Sequence, residues 1–230
     1  MKLTKRLEVI ADLVDRNAVL ADIGSDHGYL PVYLVEKKII NRAIASDVNQ
    51  GPVDNAISTV KQYKMENEVE VRLGSGLNTL SMDDKIDTVV IAGMGGNLIS
   101  QLLEDEKELA RSVKKLILQP MTTKIELRKY LLNNGYTIVE EKIAIEGEKI
   151  YEIIVAEVGE GELWDEVYYD IGKRFDTQSE EYATFISEKL KKYKNIVSKI
   201  ESKGGDSSKE KLEKVKNDIR VIEEIISHID

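Results

Sequence analysis

The 230-residue chain predicts an open, mostly parallel α/β sheet followed by a C-terminal antiparallel helical hairpin. Three observations carry this reading. Short apolar runs ending in acidic or glycine-bearing turns alternate with helical patterns; two alternating runs flank Glu146-Gly147-Glu148; and two heptad-like stripes close the chain.

Leu3, Leu7, Ile10, Leu13 and Val14 recur at helical spacing, making residues 3–15 an amphipathic leading helix that covers the sheet or lids a ligand. Val19 to Ile23 is the first strand. Tyr29 to Glu36 is the first crossover helix, with Pro31 in its opening turn, where a missing N–H costs little. Arg42 to Asp47 is the second strand, and residues 51–64 form a helix led in by Asn49-Gln50-Gly51-Pro52. Val69 to Leu73 alternates as a third strand. Asp87 to Ala92 is continuously apolar after its first residues, as a central parallel strand should be, and ends in Gly93-Met94-Gly95-Gly96 before a helix running to about Glu108. Lys115 to Met121 is the fifth strand, and Lys124 to Asn134 the helix after it, closed by Gly135. Tyr136 to Ile145 and Lys149 to Val158 pair as a hairpin. Five βα units and then a hairpin is the order of a class I methyltransferase sheet, seven strands with the last antiparallel.

Past Gly159-Glu160-Gly161 the character changes. Tyr182, Ile186, Leu190, Tyr193, Val197 and Ile200 step by four and three; beyond Gly204-Gly205-Asp206-Ser207-Ser208, so do Leu212, Val215, Ile219, Ile222, Ile226 and Ile229. The expected division is residues 1–159 as a ligand-binding domain and 160–230 as a coiled-coil-like appendage.

The loop after the first strand carries the chemistry. Its spacing, Asp22-x-Gly24-x-Asp26-x-Gly28, is not the dinucleotide fingerprint, because Asp26 stands where the middle glycine belongs and Leu30 where the third does. An acid there repels a pyrophosphate and suits a cationic or amino-bearing ligand. S-adenosylmethionine carries both an ammonium and a sulfonium, and Asp22 could take the ammonium directly or through water. Asp47, a little over twenty residues beyond Gly24, lies where doubly wound folds keep the carboxylate for ribose hydroxyls. Gly74-Ser75-Gly76-Leu77, a plain turn if taken alone, reads as an adenine pocket beside these two. Gly93 to Gly96 either exposes backbone to a ligand at the carboxyl edge of the sheet or lets helix and strand pack closely. His27 either contacts substrate or hydrogen-bonds the backbone, and Asp26 either faces substrate or caps the following helix.

Composition narrows the partners. With no cysteine, disulfides and thiolate zinc sites are excluded, and His27 and His228 are too few for a histidine-rich metal site; no metal is expected. No window approaches eighteen uninterrupted apolar residues, so the expectation is a cytoplasmic protein without membrane contact. The net charge of −9 argues against nucleic acid unless cations cluster. Lys5-Arg6, Lys37-Lys38 with Arg42, Lys114-Lys115, Lys124 with Arg128-Lys129, and Lys189-Lys191-Lys192-Lys194 are groups that folding could bring to one side.

Thr4-Lys5-Arg6-Leu7, Ala21-Asp-Ile-Gly-Ser-Asp-His-Gly-Tyr-Leu-Pro31, Ala45-Ser46-Asp47, Gly74-Ser75-Gly76-Leu77, Ile91-Ala-Gly-Met-Gly-Gly96 and Leu118-Gln119-Pro120 together resemble the TrmK family of bacterial tRNA adenine-22 N1-methyltransferases. The resemblance implies a Rossmann-like catalytic domain that uses S-adenosylmethionine, a tRNA substrate, and a helical tail that helps hold the tRNA, in a monomer or weak homodimer. With the reading of the loops, it gives a cofactor set of Asp22, Gly24, Ser25, Asp47, Val48, Gly74, Ser75, Gly76 and Gly93, and a catalytic set of Asp26, His27, Tyr29, Met94 and Gly95. Backbone carbonyls near Met94-Gly95 or Gln119-Pro120 are expected to accept from the exocyclic amine of the target base. The alternatives are a class I methyltransferase acting on another RNA, a protein or a small molecule, and a non-catalytic binding module of the same fold.

Overall fold

The computed structural model describes residues 1–203 and 209–229. The turn expected at residues 204–208 lies outside the described residues. The chain divides after Leu163 into two compact units.

The first unit holds one sheet, formed by β1 (Val19–Ile23), β2 (Arg42–Asp47), β3 (Val69–Leu73), β4 (Thr88–Met94), β5 (Lys115–Pro120), β6 (Tyr136–Glu146) and β7 (Lys149–Val158). Their order is β3-β2-β1-β4-β5-β7-β6. Neighbours from β3 to β5 pair in parallel, whereas β7 runs antiparallel to both β5 and β6. The sheet is therefore the expected seven-stranded one with its last strand reversed. The central strands are dry because helices cover both faces: Leu20, Ala21, Val89, Val90, Ile91 and Ile117 have no measurable exposure.

The helices of this unit are α1 (Lys5–Asp12), α2 (Tyr29–Glu36), α3 (Gln50–Gln62), α4 (Gly96–Asp105), α5 (Lys107–Ser112) and α6 (Lys124–Asn133). Thr4 caps α1 by accepting from the Leu7 N–H. The helix expected to run from Gly96 to about Glu108 is instead broken: Glu106 leaves helical geometry (φ −120°, ψ 49°), and α5 starts at Lys107. The break lets Leu109 and Ala110 both enter the core, along with Leu103 from α4. Two short 3-10 turns, Gly76–Thr79 and Met82–Asp84, follow β3. Arg72 braces them, with Nη1 and Nη2 each donating to the Asp84 carboxylate at 2.7 Å and Nη1 also to the Thr79 carbonyl.

The second unit contains α7 (Glu166–Ile171), α8 (Glu180–Lys203) and α9 (Lys209–Ile226). α8 and α9 run antiparallel, since Lys194 pairs with Glu223 and Lys216 with Glu201, so one helix retreats as the other advances. Phe175, Tyr182 and Phe185 form an aromatic cluster at the start of α8. Lys189 reaches the Asp170 carboxylate at 2.6 Å.

Many of the basic groups singled out in the sequence pair with acids, several of them at the surface. Lys114 pairs with Asp87, Lys115 with Asp15, Lys124 with Glu152, Lys191 with Glu188 and Lys194 with Glu223, while Arg42 reaches Asp84. Arg128 is not a surface cation at all: it has no exposure and lies between Glu141 and Glu152.

Candidate active site

The carboxyl ends of β1, β2, β3 and β4 enclose two adjoining cavities, which share Gly24 and Ala92 in their walls. The larger, about 310 Å³, is lined chiefly by Asp47, Val48, Gly74, Gly76, Met94 and Leu102. The smaller, about 230 Å³, takes Thr4, Arg6, Asp22, Asp26, His27 and Tyr29. Both lie outside the carboxyl ends of parallel strands, where open α/β sheets bind ligands.

Backbone conformation builds the first loop. Gly24, Asp26 and Gly28 all have positive φ (74°, 50° and 67°), so the chain coils tightly and both Gly24 and Ser25 donate to the Ser46 carbonyl. A side chain at Gly24 would collide with the Met94 terminal methyl, which therefore reaches across the glycine into the larger cavity. Gly28 serves packing between helices, since a Cβ there would meet Ala56 of α3 at 3.3 Å.

The larger cavity collects Gly24, Asp47, Val48, Gly74, Ser75, Gly76, Gly93 and Met94 from the sequence-based sets. Asp47 Oδ1 accepts from the Asn49 N–H at 2.9 Å, leaving its second oxygen for a ligand. Gly76 is needed for space: a Cβ there would stand 2.5 Å from Leu102 Cδ2. Leu98 and Leu102, on α4, supply an apolar wall that the sequence reading missed.

The smaller cavity collects Asp22, Ser25, Asp26, His27 and Tyr29. Asp22 is 7% exposed and accepts from the Ser25 hydroxyl at 2.6 Å. Burial pushes its carboxyl up to about 6, the Ser25 hydrogen bond pulls it down, and the Asp47 charge pushes it up. The His27 and Tyr29 rings stack at 5.0 Å and 9°, and His27 Nε2 stands 3.4 Å from the Asp26 carboxylate. The side-chain cap weighed for Asp26 is not made; Gly28 occupies the cap position of α2.

The glycine run after β4 is more closed than its sequence suggests. Gly93 donates to Gln119 Oε1, Gly96 to the Thr122 carbonyl and Asn97 to the Thr123 hydroxyl. The Met94 carbonyl already accepts from Met121, the Gly95 carbonyl from Ile99, and the Pro120 carbonyl from the Gln119 side chain. Each of these carbonyls thus has one hydrogen bond within the fold and a second lone pair for a further donor. Gly95 lines neither cavity, and a Cβ on it would stand 3.1 Å from the Thr122 hydroxyl.

Arg6 and Gln119 are the residues whose place the sequence did not reveal. Gln119 is fully buried and its Oε1 accepts from both Arg6 Nη1 and Gly93 N. The helical spacing of α1 marked its apolar face, and nothing in that pattern tells which neighbouring cation turns inward.

The residues fit S-adenosylmethionine. Glycine-walled space beside Leu98 and Leu102 suits a flat ring, Asp47 suits ribose hydroxyls, and the buried Asp22 carboxylate, with the Ser25 hydroxyl as its hydrogen-bond partner, suits an ammonium. Among the described residues, no group of acids and histidines could hold a metal ion, and no helix is long and apolar enough to cross a membrane.

Comparison with known proteins agrees with this geometry. The family model for tRNA (adenine(22)-N(1))-methyltransferase matches residues 20–224. The enzyme of that name from Bacillus subtilis is 32% identical over 235 residues, covering 99% of this chain and 98% of that one. Its crystal structure superposes with a TM-score of 0.78 at 30% identity, over 98% of this chain and 99% of that one. Sp1610 of Streptococcus pneumoniae, solved in complex with S-adenosyl-L-methionine, gives a TM-score of 0.81 at 33% identity, over 98% of this chain and all of that one. On a family match spanning both units and a relative aligned almost end to end, the chain belongs to the TrmK family of tRNA (adenine(22)-N(1))-methyltransferases.

Proposed function

We propose that the two adjoining cavities are the working site of an S-adenosylmethionine-dependent enzyme that methylates N1 of adenosine 22 in tRNA, the larger cavity taking the cofactor's adenosine and the smaller lying between the methyl donor and the target base. The observation that carries this is their junction at Gly24 and Ala92, with Asp47 on one side and Asp22, Asp26, His27 and Tyr29 on the other.

S-adenosylmethionine supplies, when bound, a methyl group already activated on a sulfonium. The adenine N1 lone pair is unprotonated at neutral pH, so the protein need not remove a proton to expose the nucleophile. Its residues position and desolvate. Asp47 orients the ribose and Asp22 the ammonium. The target adenine must leave its stack in folded tRNA, at a cost of a few kcal/mol. Tyr29, 44% exposed and backed by His27, offers it a replacement surface. Methylation at N1 leaves the base cationic, and the Asp26 carboxylate stabilises that charge.

The second unit serves as a grip on the tRNA. The phosphate contacts come from exposed cations on an acidic chain, some of which would exchange a surface carboxylate for a phosphate. Affinity for tRNA should therefore fall steeply with salt, while affinity for S-adenosylhomocysteine should change little.

The decisive experiment is incubation with labelled S-adenosylmethionine and unmodified tRNA, followed by digestion and identification of the methylated nucleoside. The expected product is 1-methyladenosine at position 22. Transfer to another nucleoside would overturn the specificity, and no transfer would overturn the enzyme.

A further inference from the structure

We propose that Arg6 binds the carboxylate of the cofactor's methionine moiety, in the smaller cavity that it lines together with Asp22 and Ser25, which receive its ammonium. This rests on the reading of the two cavities as a cofactor site and extends it to a residue that reading does not use.

Arg6 lines the same cavity as Asp22 and Ser25. Its position is fixed from several sides. The backbone N–H donates to Glu146 Oε1 at 2.6 Å, the guanidinium lies 5.2 Å from the centre of the Tyr151 ring, and Nη1 donates to Gln119 Oε1 at 2.9 Å. Gln119 in turn accepts from the Gly93 N–H, which ties Arg6 to the turn at the end of β4.

This arrangement spends one corner of the guanidinium and leaves another. Nε is buried and has no hydrogen-bond partner among the described residues. A buried N–H on a cation is costly to leave unmade, so an unpartnered one beside a cavity indicates an acceptor that comes with a ligand. Nε and Nη2 lie on one edge of the guanidinium plane and form the fork that takes a carboxylate side-on.

The rest of the lining shows which acceptor fits. An α-amino acid end carries an ammonium and a carboxylate on one carbon, and this cavity sets an acid and a base on its walls in the matching combination. An RNA phosphate would bring negative charge into a space bordered by the Asp22 and Asp26 carboxylates, and Coulomb repulsion disfavours it. The cavity also joins the adenosine side through Gly24 and Ala92, as a ligand with both parts in one molecule requires.

The test is calorimetric titration of the full chain with S-adenosylhomocysteine and with 5′-S-(3-aminopropyl)-5′-thioadenosine, which differs only in lacking the carboxylate. The wild-type protein should prefer the first ligand by roughly 10- to 100-fold, the range of a hydrogen-bonded charged group. Arg6→Met should lose that preference while binding the decarboxylated ligand within about threefold of wild type, and Arg6→Lys should restore part of it. Equal wild-type affinity for the two ligands overturns the proposal whatever the variants do. So does an equal loss of both ligands in Arg6→Met, which would make Arg6 part of the cavity wall, or a loss confined to tRNA affinity, which would make its partner a phosphate. If the wild-type protein binds neither ligand, the cofactor reading itself falls, and this proposal with it.

Discussion

Two sets of buried charges in the first unit invite comparison. Behind α6, Arg128 lies with no exposure between Glu141 and Glu152, donating to each at 2.7 to 2.8 Å, and Lys124 completes the group on Glu152. Burial alone would lower the guanidinium's pKa, but the two carboxylates reverse this and hold it above its ordinary value. At the carboxyl edge of β1, Asp22 is nearly as buried yet has a single hydroxyl for a partner, and Arg6 faces the same cavity with a nitrogen unpaired among the described residues. Charges that satisfy each other tie elements together. Charges that line one cavity without pairing to each other stay available to something that is not part of the chain.

The largest expected effect tests the first set. Arg128→Ala leaves two carboxylates buried without their cation, and breaking such a group costs about 3–5 kcal/mol. Urea unfolding should show that loss in the midpoint, with little change in slope. Arg128→Met combined with Glu141→Gln and Glu152→Gln should recover much of it, because the expense lies in the orphaned charge rather than in the missing contact.

Asp22 should behave in the opposite way. Its pKa stands near 6 in the fold against an ordinary 3.8, so the folded state holds the proton more tightly than the unfolded chain. The stabilisation that this proton brings is complete below about pH 4 and is lost as pH rises toward 6, by about 3 kcal/mol in all. Asp22→Asn should therefore be the more stable protein at pH 7 in the absence of ligand, and the stability difference between the two proteins should open between pH 4 and 6. A ligand ammonium placed at Asp22 would draw the pKa back down. Binding of S-adenosylhomocysteine at pH 6 should then release roughly half a proton, measurable from its enthalpy in buffers of different ionisation heat. Absence of proton release would separate Asp22 from the ammonium.

The same contrast marks how far the sequence could be read. The strand series, the reversed last strand and the acidic strand ends are local signals, in which period, turn residues and one acid per tip lie within a few positions. They picked out Asp22, Gly24, Asp47 and Gly74 to Gly76, which line the two adjoining cavities. Arg128 was not legible in this way. It sits in sequence between Lys124 and Lys129 like any solvated cation, and the glutamates that bury it come from β6 and β7. The hydrogen bonds made by the Gly93 to Gly96 run were not legible for a similar reason: the groups it bonds, Gln119, Met121, Thr122 and Thr123, arrive from the end of β5 and the loop beyond, while Gly93 and Met94 still line the larger cavity. Where a polar group finds its partner in another element, pattern alone does not say whether it is spent.

Tyr29 gives the smallest and most selective expectation. It lines the smaller cavity and not the larger, and its ring is stacked on His27 rather than buried in the core. Tyr29→Leu should leave stability and affinity for S-adenosylhomocysteine nearly unchanged. Methyl transfer to tRNA should weaken by about 1–2 kcal/mol in kcat/KM, within the range that base stacking on an aromatic contributes. Because His27 backs the same ring, the two side chains act as one surface, and His27→Ala in the Tyr29→Leu background should cost less than His27→Ala alone. Strict additivity would mean that the rings contact substrate independently. A matching loss of S-adenosylhomocysteine affinity in Tyr29→Leu would move this residue to the cofactor side, leaving the target base to be held by residues other than this stacked pair.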